Sequence, residues 1–226
     1  MYGLRQHPQR LDRLGSFYRT INTAAPSQPL VSGPSVVQQA SRGNQDHSIP
    51  QHATHKPLHF PSTPSPPALI SPTHHPRLPQ ARAHIEGFLN YTFTDINWLE
   101  EALWAYRITM ASTGKDLVEG NKRLAVVGDS GLTLVVVDHC IIGQGMTRDL
   151  ADQCRKAWTS NESLCALSRA HEIAQFIEPN PGTAVSPLMR ATAVEAILGA
   201  VFKDSGDDYK VLKRAVVGFG VLRERT

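Results

Sequence analysis

The sequence predicts an all-α domain over residues 84–220, behind a disordered, basic tail over residues 1–83. Three observations carry this. Thirteen of the 16 prolines lie before residue 84. Two apolar stretches, Gly120 to His139 and Leu188 to Lys203, repeat their hydrophobic residues at helical spacing. No window shows the strict apolar–polar alternation of a half-buried strand.

The tail divides in two. Residues 1–23 carry Arg5, Arg10, Arg13 and Arg19 against the single acid Asp12. Leu4, Leu11, Leu14, Tyr18 and Ile21 would share one side of a helix, the make-up of a mitochondrial presequence. Pro8 interrupts that pattern. The localisation implied is mitochondrial, with nucleus or cytoplasm as the alternative for a merely basic end. Residues 24–82 read as a linker. Runs such as Pro61-Ser62-Thr63-Pro64-Ser65-Pro66-Pro67 bury too little apolar surface to offset chain entropy. His52, His55, His59, His74 and His75 lie in this linker without a scaffold to orient them on a metal.

From His84 onward helices follow in order. Ile85, Phe88 and Leu89 predict a short helix ended by Asn90. Asp95 or Asn97 caps the next, with Trp98, Leu99, Ala102, Leu103 and Tyr106 inward. A loop from Ser112 leads to Gly120 and Asn121, a turn and N-cap. The long helix that follows buries Leu124, Val127, Leu132, Val135 and Val136, and Gly143-Gln144-Gly145 stops it. Helices over 149–158 and 161–172 come next, the second capped by Ser160 or Asn161. After the Pro179-Asn180-Pro181-Gly182 turn, Leu188 to Lys203 is a second apolar helix, and Tyr209 to Val217 a last one.

The charge is uneven. Net charge is +3, but residues 1–84 hold eight Lys or Arg and two Asp, leaving 15 basic and 18 acidic residues beyond. Attraction to nucleic acid would come from the tail or a local patch. Cys140, Cys154 and Cys165 lack metal-ligand spacing and read as small buried hydrophobes of a reducing compartment. The apolar runs, broken by Asp, Gly or Lys, predict no membrane span and no membrane partner.

Two acids stand out. Asp129 and Glu195 each sit alone within an apolar helix. Gly128 and Gly199 nearby would let the two helix backbones approach closely and bring the acids together. Facing acids are unfavourable without a cation, the usual reason for a divalent metal.

Four blocks resemble the ribonuclease III family in order and spacing over about residues 85–217. They are Tyr91-x-Phe93-x-Asp95 with Leu99-Glu100-Glu101-Ala102-Leu103, Asn121-x-Arg123-Leu124-x-x-x-Gly128-Asp129-Ser130, Ser160-Asn161-x-Ser163-Leu164, and Val194 through Phe202. The resemblance implies a helical domain that forms a homodimer and hydrolyses phosphodiesters of double-stranded RNA with Mg²⁺ or Mn²⁺. It implies Asp129 and Glu195 as catalytic residues and metal ligands. Departures from the pattern are Lys122 and Ala125 where the family has Glu, Thr192 where it has Asp, and Trp104 and Tyr106 where it has Thr-His. Lys122, Ala125 and Asp129 fall on one helix face. Lys122 either reaches toward Asp129, in place of a metal's charge, or points into water. Gly131, inside the helix, marks a kink, a close contact or relaxed constraint. The resemblance leads one to expect no separate RNA-binding domain of the bacterial type within the roughly 20 residues after the second apolar helix, so RNA grip is expected of basic residues such as Arg123, Arg155 and Lys156. Two functions follow: an endoribonuclease of RNA processing, or an inactive member that binds RNA or acts as a structural protein of the mitochondrial ribosome.

Overall fold

A computed structural model describes residues 72–222. Residues 1–23, expected to be a presequence, most of the linker and the histidines at 52, 55 and 59 lie outside the described residues. Seven α-helices follow in order: α1 Leu78–Leu89, α2 Ile96–Leu103, α3 Lys122–Asp138, α4 Arg148–Trp158, α5 Asn161–Ala170, α6 Pro187–Asp204 and α7 Tyr209–Gly218. A two-residue antiparallel hairpin, β1 Ile108–Thr109 with β2 Asp116–Leu117, stands between α2 and α3.

The folded unit begins earlier than residue 84. α1 opens at Leu78 with Pro79 in its first turn, where a missing N–H costs nothing. Before it, Thr73 pairs with the hairpin: its N–H donates to the Thr109 carbonyl at 2.8 Å, and its carbonyl accepts from the Ala111 N–H at 3.0 Å. His75, placed by composition in the linker, is buried. Its backbone N–H donates to Glu100 Oε1, and its Nε2 lies 2.9 Å from the Phe176 carbonyl. Proline content hid this strap because its partners lie far along the chain.

Helix ends follow local chemistry. Asn90, at φ 50°, closes α1. Asp95 caps α2 by accepting from the Asn97 N–H. Ser160 caps α5 and Ser186 caps α6 in the same manner. α2 stops at Leu103, so Tyr106 lies past the helix and packs edge-on against Trp104 at 5.6 Å. Asn121 is not the N-cap expected: it has helical dihedrals and makes no side-chain cap bond. Its Nδ2 instead donates to the Ala102 carbonyl at 2.9 Å, tying α3 to the end of α2.

α3 and α6 form the centre. α6 is apolar nearly all round, with Ala191, Val194, Ile197, Leu198 and Val201 fully buried, as a helix enclosed by others must be. α3 buries Leu124, Ala125, Leu132, Val135 and Val136 against it, while Val127 is half-buried. α3 continues through a π-helical turn, His139–Gly143. Together they make 22 residues, long and apolar enough by length and composition to cross a membrane, contrary to the sequence expectation. Its buried face is part of the domain core. Cys140 and Cys165 are buried, Cys154 is half-buried, and all three are free thiols.

Gly131 is a close contact. A Cβ there would lie 2.6 Å from Leu212 Cδ2 on α7.

Acid should loosen the joins made by two histidines. Arg77 N–H donates to His75 Nδ1 at 3.3 Å, which fixes Nε2 as the protonated nitrogen. His171 Nε2 bonds the Phe219 carbonyl at 3.0 Å, and its ring stacks on Phe88 at 4.2 Å. Burial lowers the pKa of both rings below the usual histidine value, against the opposing pull of those carbonyls. The folded state therefore takes up these protons later than the unfolded chain, and stability is lost as pH falls below about 6.5. Melting curves between pH 7.5 and 5 should show wild type losing ground to a His75→Gln/His171→Gln variant; a constant gap between them contradicts this.

Candidate functional site

The crossing of α3 over α6 places the two acids. A Cβ on Gly128 would collide with the Glu195 carbonyl, and one on Gly199 with the Leu124 carbonyl. The two backbones thus touch at glycine, as the sequence led us to expect. Side chains next to the contact share one cleft of about 500 Å³. Asp129 projects into it from α3, and Glu195 and Thr192 from α6.

Asp129 is exposed and Glu195 half-buried. Burial raises the Glu195 carboxyl to about 7, and the negative Asp129 adds to the shift. The acids are therefore close enough to repel, with Glu195 sharing its site with a proton near neutrality.

The rest of the cleft is not charged in the way a metal site requires. Ala105, Ala125, Val126, Leu188 and Met189 line it. Val126 is 69% exposed and Leu188 60%. Lys122 is at the rim, but its ammonium lies 3.7 Å from Glu119 and is mostly exposed. The partner one turn before the helix start is nearer than Asp129, which corrects the idea that Lys122 neutralises the acid pair. Among the described residues, no three His, Cys, Asp or Glu side chains are gathered as a metal site. Asp129 and Glu195 are the two carboxylates that line the cleft. Mg²⁺ can use only one or two protein carboxylates, but then relies on substrate phosphates for the rest. Without substrate phosphates, two carboxylates are a sparse donor set for a divalent ion.

The basic residues are differently placed from one another. Arg123, expected on RNA, is held by Glu101 through both Nε and Nη2. Glu101 is almost fully buried and also accepts from Lys115 Nζ at 2.6 Å. Burial pushes its carboxyl up, and the Arg123 guanidinium opposes this. An unpaired carboxylate there would be costly, so Arg123 is committed to the fold. Trp98 lies beside both cations, 5.5 Å from Lys115 Nζ and 5.9 Å from the Arg123 guanidinium carbon. Arg155 and Lys156 lie on α4, sharing Asp152 at 2.8 and 2.7 Å. Arg148, on the same helix face, is almost wholly exposed. That face carries three cations against Asp152 and Asp149, the latter 3.6 Å from Arg148.

Sequence reasoning missed the cleft's apolar walls and the role of Glu119. The signal for Glu100 and Glu101 was present: two acids inside an apolar block, both now buried.

Comparisons with known proteins agree with the geometry. A family model described as ribonuclease III domain matches residues 122–206. Ribonuclease 3 of Desulfotalea psychrophila is 29% identical over 143 residues, 57% of this chain and 55% of that protein. Ribonuclease 3 of Vibrio atlanticus is 30% identical over 145 residues, 60% of this chain and 58% of that protein. The chain thus spans little more than half the length of these curated relatives. In fold it is similar to the nuclease domain of ribonuclease III from Campylobacter jejuni. The TM-score is 0.51 at 24% identity, over 60% of this chain and 93% of that one. That neighbour is described as having structural flexibility in a region involved in dimer formation.

Proposed function

We infer that the chain is a divergent member of the ribonuclease III family, since a ribonuclease III domain model matches residues 122–206, and propose that it binds double-stranded RNA in RNA processing without cutting it. The observation that supports this is the donor set: Asp129 and Glu195 stand with neutral Ala125 and Thr192 in the same cleft. In-line hydrolysis of a phosphodiester depends on metal ions to stabilise the entering and leaving oxygens. With Ala125 and Thr192 neutral, two carboxylates are left in the cleft to hold such ions.

RNA grip falls to the outer face of α4, where Arg148, Arg155 and Lys156 can pair with phosphates. Each phosphate contact released lowers the slope of log affinity against log salt by about one.

The test uses the full chain, long double-stranded RNA, and Mg²⁺ or Mn²⁺, beside an Asp129→Asn/Glu195→Gln variant. The expected result is retained RNA binding with no cleavage above that variant. Cleavage by wild type that the variant loses would overturn the reading in favour of the endonuclease. An Arg155→Ala/Lys156→Ala variant should weaken binding, with its salt slope reduced by about two.

A further inference from the structure

We propose that Cys140 and Cys154 are a redox pair, oxidised to a reversible disulfide by a small-molecule disulfide such as oxidised glutathione, and that this bond fastens α4 to the π-helical turn at the end of α3.

The fold brings the two thiols together. Cys140 lies in the π-helical turn His139–Gly143 and Cys154 in α4, on either side of a short loop. Met146, in that loop, touches both cysteines. Its N–H donates to the Cys140 carbonyl at 3.0 Å, and its thioether sulfur accepts from the Cys154 thiol at 4.0 Å. The two thiols are also neighbours of one another. Burial pushes the Cys140 thiol up to about 12, and the charge and hydrogen bond of Cys154 add to the rise. Cys140 therefore keeps its proton at neutral pH, and both cysteines are free thiols. Closing an S–S bond needs the sulfurs to approach further, and Gly143 and Gly145 lie in the chain between them. A Cβ on Gly145 would meet nothing within 4 Å, so this loop has space in which to shift.

Access sets the order of the two steps. Cys154 is half-buried, whereas Cys140 is fully buried, and exchange requires a thiolate that can reach the disulfide. Cys154 loses its proton to water, its sulfur attacks one sulfur of oxidised glutathione, and the first glutathione thiolate leaves. Cys140 then loses its proton and attacks the Cys154 sulfur of the mixed disulfide, and the second glutathione thiolate leaves. With the adduct in place, the charge of Cys154 no longer opposes ionisation of Cys140. The protein gives up two electrons and two protons, and oxidised glutathione is reduced to two thiols. The bond closes the stretch from residue 140 to 154, which restricts the unfolded chain and so favours the folded one. An excess of dithiol reverses it by the same exchange.

Whether the chain holds RNA has no bearing on this pair, since neither thiol is offered as an RNA contact. The test incubates the full, folded chain with oxidised glutathione, then unfolds it, alkylates the remaining thiols and maps the digest by mass spectrometry. The expected product is a crosslink between residues 140 and 154 of one chain, with the alkyl group on Cys165. The oxidised protein should melt about 5 °C higher, and dithiothreitol should restore the starting midpoint. Cys154→Ser should abolish both the crosslink and the shift. Cys140→Ala should instead accumulate glutathione on Cys154, because no second thiol is left to displace it. Should Cys140→Ala fail to fold, the wild-type map and Cys154→Ser still decide. Any of three results overturns the assignment: alkylation of both cysteines after oxidation, glutathione retained on Cys154 of the wild type, or a crosslink that joins two chains or involves Cys165.

Discussion

Gly128→Ala is expected to abolish the native fold. A Cβ at this position runs into the backbone carbonyl of Glu195, and its other near neighbours are Glu195 C and Gly199 N. Backbone atoms of a central helix cannot rotate away as a side-chain tip can. α3 and α6 would have to separate along the most extensive helix–helix contact of the domain. Overpacking ordinarily costs about 1–3 kcal/mol. With no flexible atom to yield, the cost here should reach about 4 kcal/mol or more, a large share of a typical domain's stability. Gly199→Ala should behave alike, because it meets the Leu124 carbonyl. Gly131→Ala is the control. Its clash is with a Leu212 methyl, which can move, and helix propensity returns about 1 kcal/mol. Thermal melts by circular dichroism distinguish them. A cooperative, near-wild-type melt for Gly128→Ala would show that the helices do not cross at this glycine.

Glu195→Gln is expected to stabilise the protein at alkaline pH. The Glu195 carboxyl titrates near 7 in the folded state, chiefly because of burial and secondarily because of Asp129. In the unfolded chain it titrates near the ordinary glutamate value of about 4.3. A raised acid binds its proton more tightly when folded. Its contribution is fully present below the unfolded pKa and is lost as pH rises through 7. At about 1.4 kcal/mol per pH unit, ionising Glu195 costs at most about 3.8 kcal/mol by pH 8, and less once water screens this half-exposed carboxyl. Gln removes that cost. The gain over wild type should be large at pH 8 and vanish near pH 4.5. Asp129→Asn should give a smaller gain of the same sign, since repulsion is the lesser cause. Equal melting temperatures of wild type and Glu195→Gln at pH 8 would show that the carboxyl is not under strain. Millimolar Mg²⁺ should move the wild-type midpoint little. A rise of many degrees, lost in Glu195→Gln, would show that the pair holds a cation after all.

The helices were legible in the sequence because their causes are local. Apolar spacing placed α3 and α6, Asp95 and Ser160 announced their caps, and Asn90 and Gly145 marked ends where the backbone turns left-handed. The pairing of Asp129 with Glu195 was legible for a related reason: each acid lies close to a glycine on its own helix, and only glycine allows two helices such close approach. The strap at Thr73 and His75 was not legible, since its bonds reach residues 25 to 101 positions away. Nor was the commitment of Arg123. A charged side chain at a helix start looks solvated until the buried carboxylate of Glu101 is known to lie beside it.

By itself, then, the sequence determined the fold class, the order of helices and the identity of the acid pair, because periodicity and glycine spacing act over a few residues. The tertiary structure alone decided where each charge ends: Arg123 on Glu101, Lys122 on Glu119, and the two acids in a cleft walled by Ala125, Leu188 and Met189. The physical reason is that ion pairs and clefts form between distant segments, and their strength depends on distance and burial, which no linear pattern records.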